Sequence, residues 1–103
     1  MSQSLITLIC SPSLERPVTD WLLEHENSSG FTSIQAYGHG SDPATFTLIE
    51  QVEGRKEQVI FQIHIASNQE NDFIKYLKEN FIGTNIHYWV VPLTAVGNLS
   101  RDS

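Results

Sequence analysis

The sequence has few basic residues and almost no cysteine. Six Lys and Arg stand against twelve Asp and Glu, which gives a net charge of −6 and argues against a nucleic-acid partner. The single cysteine, Cys10, excludes an intrachain disulfide and a site with several thiolate ligands in one chain. Because Cys10 lies in an apolar run, we expect it to be a buried, unreactive thiol.

Long apolar runs and catalytic motifs are also missing. No segment approaches the roughly 20 apolar residues that span a bilayer, and the first residues are polar without a basic stretch, so we expect a cytoplasmic protein without direct membrane insertion. No nucleophile elbow, zinc-protease motif or dinucleotide fingerprint occurs. The sequence therefore predicts a protein that binds rather than an enzyme.

The composition that remains is that of one globular domain. The chain has 103 residues, of which 40% are hydrophobic and 17% are charged. That length is enough for a small sheet covered by two helices but not for a second core. We predict a single domain over residues 1–103.

Two apolar patterns divide the chain into strands and helices. Runs that alternate between apolar and polar residues, or that are rich in β-branched residues, predict strands, and apolar residues three and four positions apart predict helices. We expect Ser13 to cap the first helix and a capping box of Ser67 and Glu70 to begin the second. The predicted strands are Ser4–Cys10, Phe31–Tyr37, Gln58–Ala66 and a final strand from Ile86 that Pro92 ends; the helices run to about His25 and to Gly83. The first strand is apolar on both faces and the second is the most polar, so we place them at the centre and near an edge.

The segment 39–57 has conflicting local signals. Asp42 and Pro43 favour a short helix, whereas the β-branched residues nearby do not. We predict that 39–57 is the most mobile internal segment and recognises a partner protein, and that 94–103 is a polar tail.

The order of these elements predicts an α+β fold, β-α-β-β-α-β, with an antiparallel sheet and two helices on one face, as in ferredoxin-like domains. The other face would also carry apolar side chains. An exposed apolar face of this size is typical of an interface, so we expect an oligomer.

Histidines and glycines are the candidate ligand-binding residues. His25, His39, His64 and His87 have no metal-ligand spacing in sequence, and His64 and His87 fall on strands that are not neighbours. His39 lies between Gly38 and Gly40, which allow close approach of backbone to a ligand or simply form a turn. Both interpretations of His39, metal ligand and turn residue, are open at this point.

Short runs along the chain resemble the PII-like (nitrogen-regulatory-protein-like) superfamily. The resemblance is closest to an uncharacterised PII-like family associated with heavy-metal efflux pumps of the resistance-nodulation-division type. The runs that carry it are Leu8-Ile9-Cys10, Trp21-Leu22-Leu23, Gly38-His39-Gly40, Glu50-Gln51-Val52-x-Gly54-Arg55 and Tyr88-Trp89-Val90-Val91-Pro92.

The resemblance implies a homotrimer with small effectors in the clefts between subunits and a partner protein bound by 39–57, the efflux pump being one candidate. By position, the effector-binding residues would be Gly38, His39, Gly40, Glu50, Gln51, Gly54 and Arg55, with His39 as the metal ligand. The effector would be an adenine nucleotide or a divalent metal. One departure is that the turn at 81–85 lacks the lysine of PII proteins.

Two other classes share this fold. Acylphosphatase-like enzymes need a phosphate-binding loop with an arginine after the first strand, and Cys10-Ser11-Pro12-Ser13 stands there instead. Metal-binding cation-tolerance trimers of the CutA type are the alternative that stays open.

Overall fold

One antiparallel sheet with two helices makes up the part of the chain that the computed structural model describes, residues 2–25, 30–39 and 55–100. Its elements are β1 (Gln3–Cys10), α1 (Glu15–Glu24), β2 (Thr32–Gly38), β3 (Lys56–Ala66), α2 (Glu70–Phe81) and β4 (His87–Leu93). The strand order is β2-β3-β1-β4. The predicted order of elements, the central place of β1 and the edge place of β2 are confirmed.

The core lies between the helices and one face of the sheet. Ile6 and Leu8 of β1 lie opposite Ile63 and Phe61 of β3, and all four are fully buried. Successive strand residues point to opposite faces, so these side chains share the face that the helices cover. The helices add apolar residues at helical spacing, namely Val18, Trp21 and Leu22 from α1 and Phe73 and Leu77 from α2.

The predicted cap of the first helix is wrong. A 3₁₀ turn, Pro12–Leu14, precedes α1, so Ser13 lies inside that turn and its hydroxyl is 2.9 Å from the hydroxyl of Ser11. Leu14 is the residue at the cap position and makes no side-chain hydrogen bond there. Pro12 favours the turn because its ring fixes φ near the helical value.

The capping box of the second helix is also wrong. Ser67 begins another 3₁₀ turn, and α2 starts at Glu70 without a side-chain cap. Both side chains instead contact the buried hydroxyl of Ser4 in β1, which lies 2.8 Å from the Ser67 hydroxyl and donates to the Glu70 carboxylate. The polar groups chosen as caps thus join α2 to β1.

The final strand runs past the predicted stop. Pro92 lies within β4 opposite Ser4, and the strand ends at Leu93. A proline is tolerated here because β4 is an edge strand, where one side of the backbone needs no partner in the sheet. Gly83 does follow the end of α2 as predicted, and its φ of +84° is one that glycine adopts without strain.

The face of the sheet away from the helices, here called the open face, carries large apolar side chains. Leu5, Ile9 and Ile60 are half-buried there, and Trp89 is 48% exposed. Neither described helix is long and apolar enough to cross a membrane.

Candidate functional site

The end of the sheet where β2 stops and β3 starts brings predicted site residues together. Gly38 ends β2 and pairs with Lys56, the first residue of β3. His39 follows Gly38 and is exposed, and Arg55 precedes Lys56. Arg55, which is distant in sequence, therefore shares one end of the sheet with the adjacent candidates Gly38 and His39.

Four further candidates lie outside the described residues. These are Gly40, Glu50, Gln51 and Gly54. The short helix predicted after Asp42 also falls there, and these interpretations stay predictions.

Arg55 stacks on an aromatic ring at this end of the sheet. The guanidinium carbon of Arg55 lies 3.9 Å from the centre of the Tyr37 ring, which is a cation–π contact. Tyr37 pairs with Glu57 in the register of β2 and β3, so Arg55 lies diagonally across the strand pair. The sequence analysis named Tyr37 only as a strand end. The register of the two strands would have revealed the pair, because Tyr37 lies just before the segment 39–57 and Arg55 lies near the end of that segment.

Gly38 leaves room for a neighbouring side chain. A Cβ added to Gly38 would lie 2.6 Å from Oε1 of Gln58, so any larger residue must displace the Gln58 carboxamide. Gly38 and Gln58 both lie on the open-face side of the sheet, because Gln58 pairs with Ala36 two residues before Gly38. Because Gly38 has no side chain, the Gln58 carboxamide can lie directly beside the Gly38 backbone.

A small polar cavity of about 230 Å³ lies on the other side of these strands. Two carboxylates and two carboxamides contribute to its lining, together with Tyr37; the lining residues are Pro12, Glu15, Gln35, Ala36, Tyr37, Glu57, Gln58 and Val59. Its volume is below the roughly 300 Å³ at which pockets for small organic ligands begin. The described residues of one chain therefore do not enclose a nucleotide at this end of the sheet.

Cys10 is unsuited to nucleophilic chemistry. Its side chain is 4% exposed, and burial together with the charge of Glu15 raises the pKa of the thiol to about 11. A thiol with this pKa is almost fully protonated near neutral pH, and the thiolate is the nucleophilic form. The predicted burial of Cys10 is confirmed.

The described histidines do not gather around a common point. His25 packs among aromatic rings, with its ring centre 4.2 Å from that of Trp21. His64 and His87 lie on β3 and β4, which β1 separates, as predicted. No group of three or more histidine, cysteine, aspartate or glutamate side chains suited to a metal ion occurs within residues 2–25, 30–39 and 55–100.

With this geometry in place, comparison with known proteins identifies the family. Residues 1–100 match the family described as "Protein of unknown function (DUF3240)". The chain belongs to the DUF3240 family. No curated protein matches the sequence.

Solved structures share the fold over nearly the whole chain. A DUF3240 family protein from Shewanella baltica OS155 superposes with a TM-score of 0.78 at 23% identity, covering 97% of this chain and 99% of that one. CPII, a nitrogen regulatory PII-like protein from Thiomonas intermedia K12 bound to ADP, AMP and bicarbonate, gives 0.69 at 14% identity, with 95% and 96% covered. The GlnK–ATP complex of B. subtilis gives 0.64 at 9%, with 89% and 82% covered.

These likenesses establish the fold of this DUF3240 protein as PII-like. The expected resemblance to the PII-like superfamily is therefore confirmed. The identities are low, so what the relatives bind is a property of those proteins, and its bearing on this chain is a matter of proposal.

Proposed function

We propose that this protein is a non-catalytic, PII-like regulator that binds a small effector in clefts between the subunits of a homotrimer. The observation that carries the proposal is the junction of β2 and β3, where Gly38, His39 and the Tyr37–Arg55 stack meet at one end of a PII-like sheet. The described residues contain a buried, protonated thiol at Cys10 instead of an activated nucleophile, which favours binding over catalysis.

The open face supports a trimer. Trp89, Ile34 and Val91 are between 40% and 48% exposed there, and half-buried aliphatic residues lie among them. Apolar surface that is wet in one chain is stabilised when copies bury it against each other. Packing through this face leaves the helices outside.

The cavity at the end of β2 supports an effector site completed by a second subunit. At about 230 Å³ it is too small for a nucleotide, and Gly38 and His39 directly follow its lining residue Tyr37 in the chain. Glycine allows backbone N–H groups to approach a phosphate without an intervening Cβ. Arg55 adds a positive charge on the same end of the sheet.

Electrostatics narrows the class of effector. The chain carries a net charge of −6, and three copies triple it, so a free polyanion is repelled at long range. A nucleotide chelated to a divalent cation, or a cation bound by His39, fits this charge better. CPII from Thiomonas intermedia K12 was solved with ADP and AMP, and GlnK of B. subtilis with ATP, which supports trying adenine nucleotides first.

The segment 39–57 is the proposed contact with a partner protein, and a heavy-metal efflux pump is the candidate partner. Its two ends are joined by the Gly38–Lys56 pair and the Tyr37–Arg55 stack, so a ligand at these residues touches the base of the segment. Replacing residues 40–54 with a glycine–serine linker should remove binding of the purified pump while the oligomer stays intact. Equal binding by both proteins would overturn the assignment of this segment.

Isothermal titration tests the effector site. ATP, ADP and AMP are titrated with and without Mg²⁺ into wild type and Gly38→Val, whose side chain displaces the Gln58 carboxamide. Gly97→Val is the matched control, because a Cβ at Gly97 meets nothing within 4 Å. We expect the Gly38 variant alone to lose binding, by at least about tenfold in affinity, or 1.4 kcal/mol.

Two results of this titration would contradict the proposed effector site. Equal affinity of wild type and Gly38→Val would place the site elsewhere, and absence of nucleotide binding to wild type would exclude this effector class. Titration with Cu²⁺ and Zn²⁺ separates the CutA-like alternative: His39→Ala should abolish metal binding if His39 is a ligand and leave it unchanged if it is a turn residue.

A further inference from the structure

A trough runs along the outer edge of the sheet, between α2 and β4. It consists of two adjoining depressions of about 410 and 620 Å³ that share Lys78 and Tyr88. The first is lined mainly by apolar side chains, and the second by apolar and charged ones. The lining residues include Ile74, Lys75, Lys78, Phe81, Tyr88 and Val90.

The floor of the trough follows the edge strand. Tyr88 and Val90 lie opposite the buried residues Leu8 and Ile6, which places them on the helix-covered face of the sheet. They are two residues apart, so their side chains repeat every 6.6–6.8 Å or so along β4. A further strand laid beside β4 would place its alternate side chains over the trough at the same spacing.

The outer edge of β4 is suited to accept such a strand. Among the described strands β4 pairs only with β1, and their register runs from His87 to Leu93 without a bulge. Edge strands that avoid pairing carry lysine, bulges or prolines. Here residues 87–91 contain none of these, and Pro92 comes only at the end.

The trough carries two lysine side chains, although the chain as a whole has a negative net charge. Lys75 and Lys78 are two of only six basic residues in a chain of net charge −6, and both line the same depression. Neither forms an ion pair with a described residue, although Glu79 lies one helical turn from Lys75. The Glu70 carboxylate, also in the lining, accepts a hydrogen bond from Ser4. The lysines are thus available to an acidic side chain.

We propose that this trough binds an extended segment of a partner protein, which adds to the sheet as a fifth strand beside β4. An apolar side chain of the segment enters the depression beside Phe81 and Tyr88, and an acidic side chain two residues away meets Lys75 and Lys78. Main-chain hydrogen bonds supply affinity and the alternate side chains supply specificity. The site lies on the helix side, opposite the open face, and does not rest on the proposed effector or trimer.

Selection from random ten-residue peptides displayed on phage tests the trough with the full chain as bait. We expect enriched sequences to hold an apolar and an acidic residue two positions apart, without proline between them. A selected peptide labelled with fluorescein is then titrated by anisotropy. Methylating the backbone nitrogens of one alternate set of residues should abolish binding, and methylating the other set should not, because only one set bonds to the edge.

Charge reversal provides the matched comparison. Lys78→Glu should weaken the selected peptide by about tenfold, whereas Arg16→Glu, an equal change on exposed α1, should alter it by less than about twofold. Lys75→Glu is the second variant in case Lys78→Glu unfolds at a lower temperature. No enrichment, or equal affinity of both trough variants and wild type, overturns the proposal. A loss of oligomer mass in Lys78→Glu would assign the trough to a second copy of this chain and also overturn it.

Discussion

The two faces of the sheet differ in how completely a single chain buries their apolar side chains. On the helix-covered face, Ile6, Leu8 and Phe61 have no exposed surface. On the open face, Trp89 keeps 48% of its surface and Ile34 keeps 44%. The fully buried residues come from the central strands β1 and β3, and the exposed ones come from the edge strands β4 and β2.

This difference separates the apolar surface that folding of one chain buries from the apolar surface that folding leaves exposed. The helices supply an intramolecular partner for one face, because their apolar stripes pack against it in the core. Among the described elements nothing covers the other face.

The largest effect is expected from a charge placed in the middle of the open face. Trp89 lies opposite Thr7 of the central strand, so Trp89→Asp puts a carboxylate where copies would pack. We expect complete dissociation to the 11.6 kDa chain, from a wild-type mass about three times larger, as measured by light scattering.

Tyr76→Asp is the control for this dissociation. Tyr76 is 44% exposed, similar to Trp89, but lies on α2. Its substitution should leave the mass unchanged. A wild-type protein that is already a monodisperse monomer at micromolar concentration would contradict the role given to the open face.

Neighbouring residues of β3 compare the faces in free energy. Phe61→Ala removes a fully buried ring from the helix-covered face and should lower the free energy of unfolding by about 3–5 kcal/mol. Ile60→Ala alters a half-buried residue of the open face and should lower the free energy of unfolding by less at low protein concentration. If copies of the chain cover this face, the loss should increase with protein concentration. Urea denaturation at several protein concentrations measures both. A larger cost for Ile60→Ala in the dilute limit would reverse the comparison.

A smaller loss is expected at the polar contact inside the helix-covered face. Ser4→Ala removes the hydroxyl that contacts Ser67 and Glu70 and leaves the Glu70 carboxylate without that donor, at a cost of about 1–3 kcal/mol. Ser13→Ala, which breaks the exposed contact with Ser11, should change stability by less than about 0.5 kcal/mol. Equal costs in thermal or urea unfolding would show that burial of Ser4 does not matter.

The smallest effect concerns pH. Burial and the nearby Glu15 raise the pKa of Cys10 to about 11, above the 9.0 of a solvent-exposed thiol. The unfolded thiol therefore ionises first, so this contribution to stability is complete below pH 9 and is lost as pH rises toward 11. Cys10→Ala should remove that part of the decline in urea-unfolding free energy between these pH values. An identical decline in wild type and variant would contradict the assignment.

The strands could be predicted because their pattern reports burial directly. β3 alternates half-buried and buried residues from Gln58 to Ala66, and β1 is apolar on both sides. The helix starts could not be predicted, because Ser67 and Glu70 had two competing partners, the helix backbone and the Ser4 hydroxyl. Only tertiary packing decides between them.

The parts of the candidate site that are adjacent in sequence could be predicted from the sequence. The contacts that depend on the register of two strands could not. Gly38 and His39 follow from glycine chemistry at the end of a strand. The stack of Arg55 on Tyr37 depends on which residues pair across β2 and β3. The trough was missed because it combines α2 with β4, whose patterns were interpreted separately.

The position of β1 has a consequence for the order of folding. Of the described strands, β1 comes first in the chain and lies at the centre of the sheet, and its two sheet neighbours are β3 and β4, the last two in the chain. Leu5 pairs with Val91, so this contact closes a loop that includes most of the chain. Pairings this distant in sequence slow the search for the native state. One edge of β1 therefore stays without its native partner during synthesis until residues 87–93 have been made.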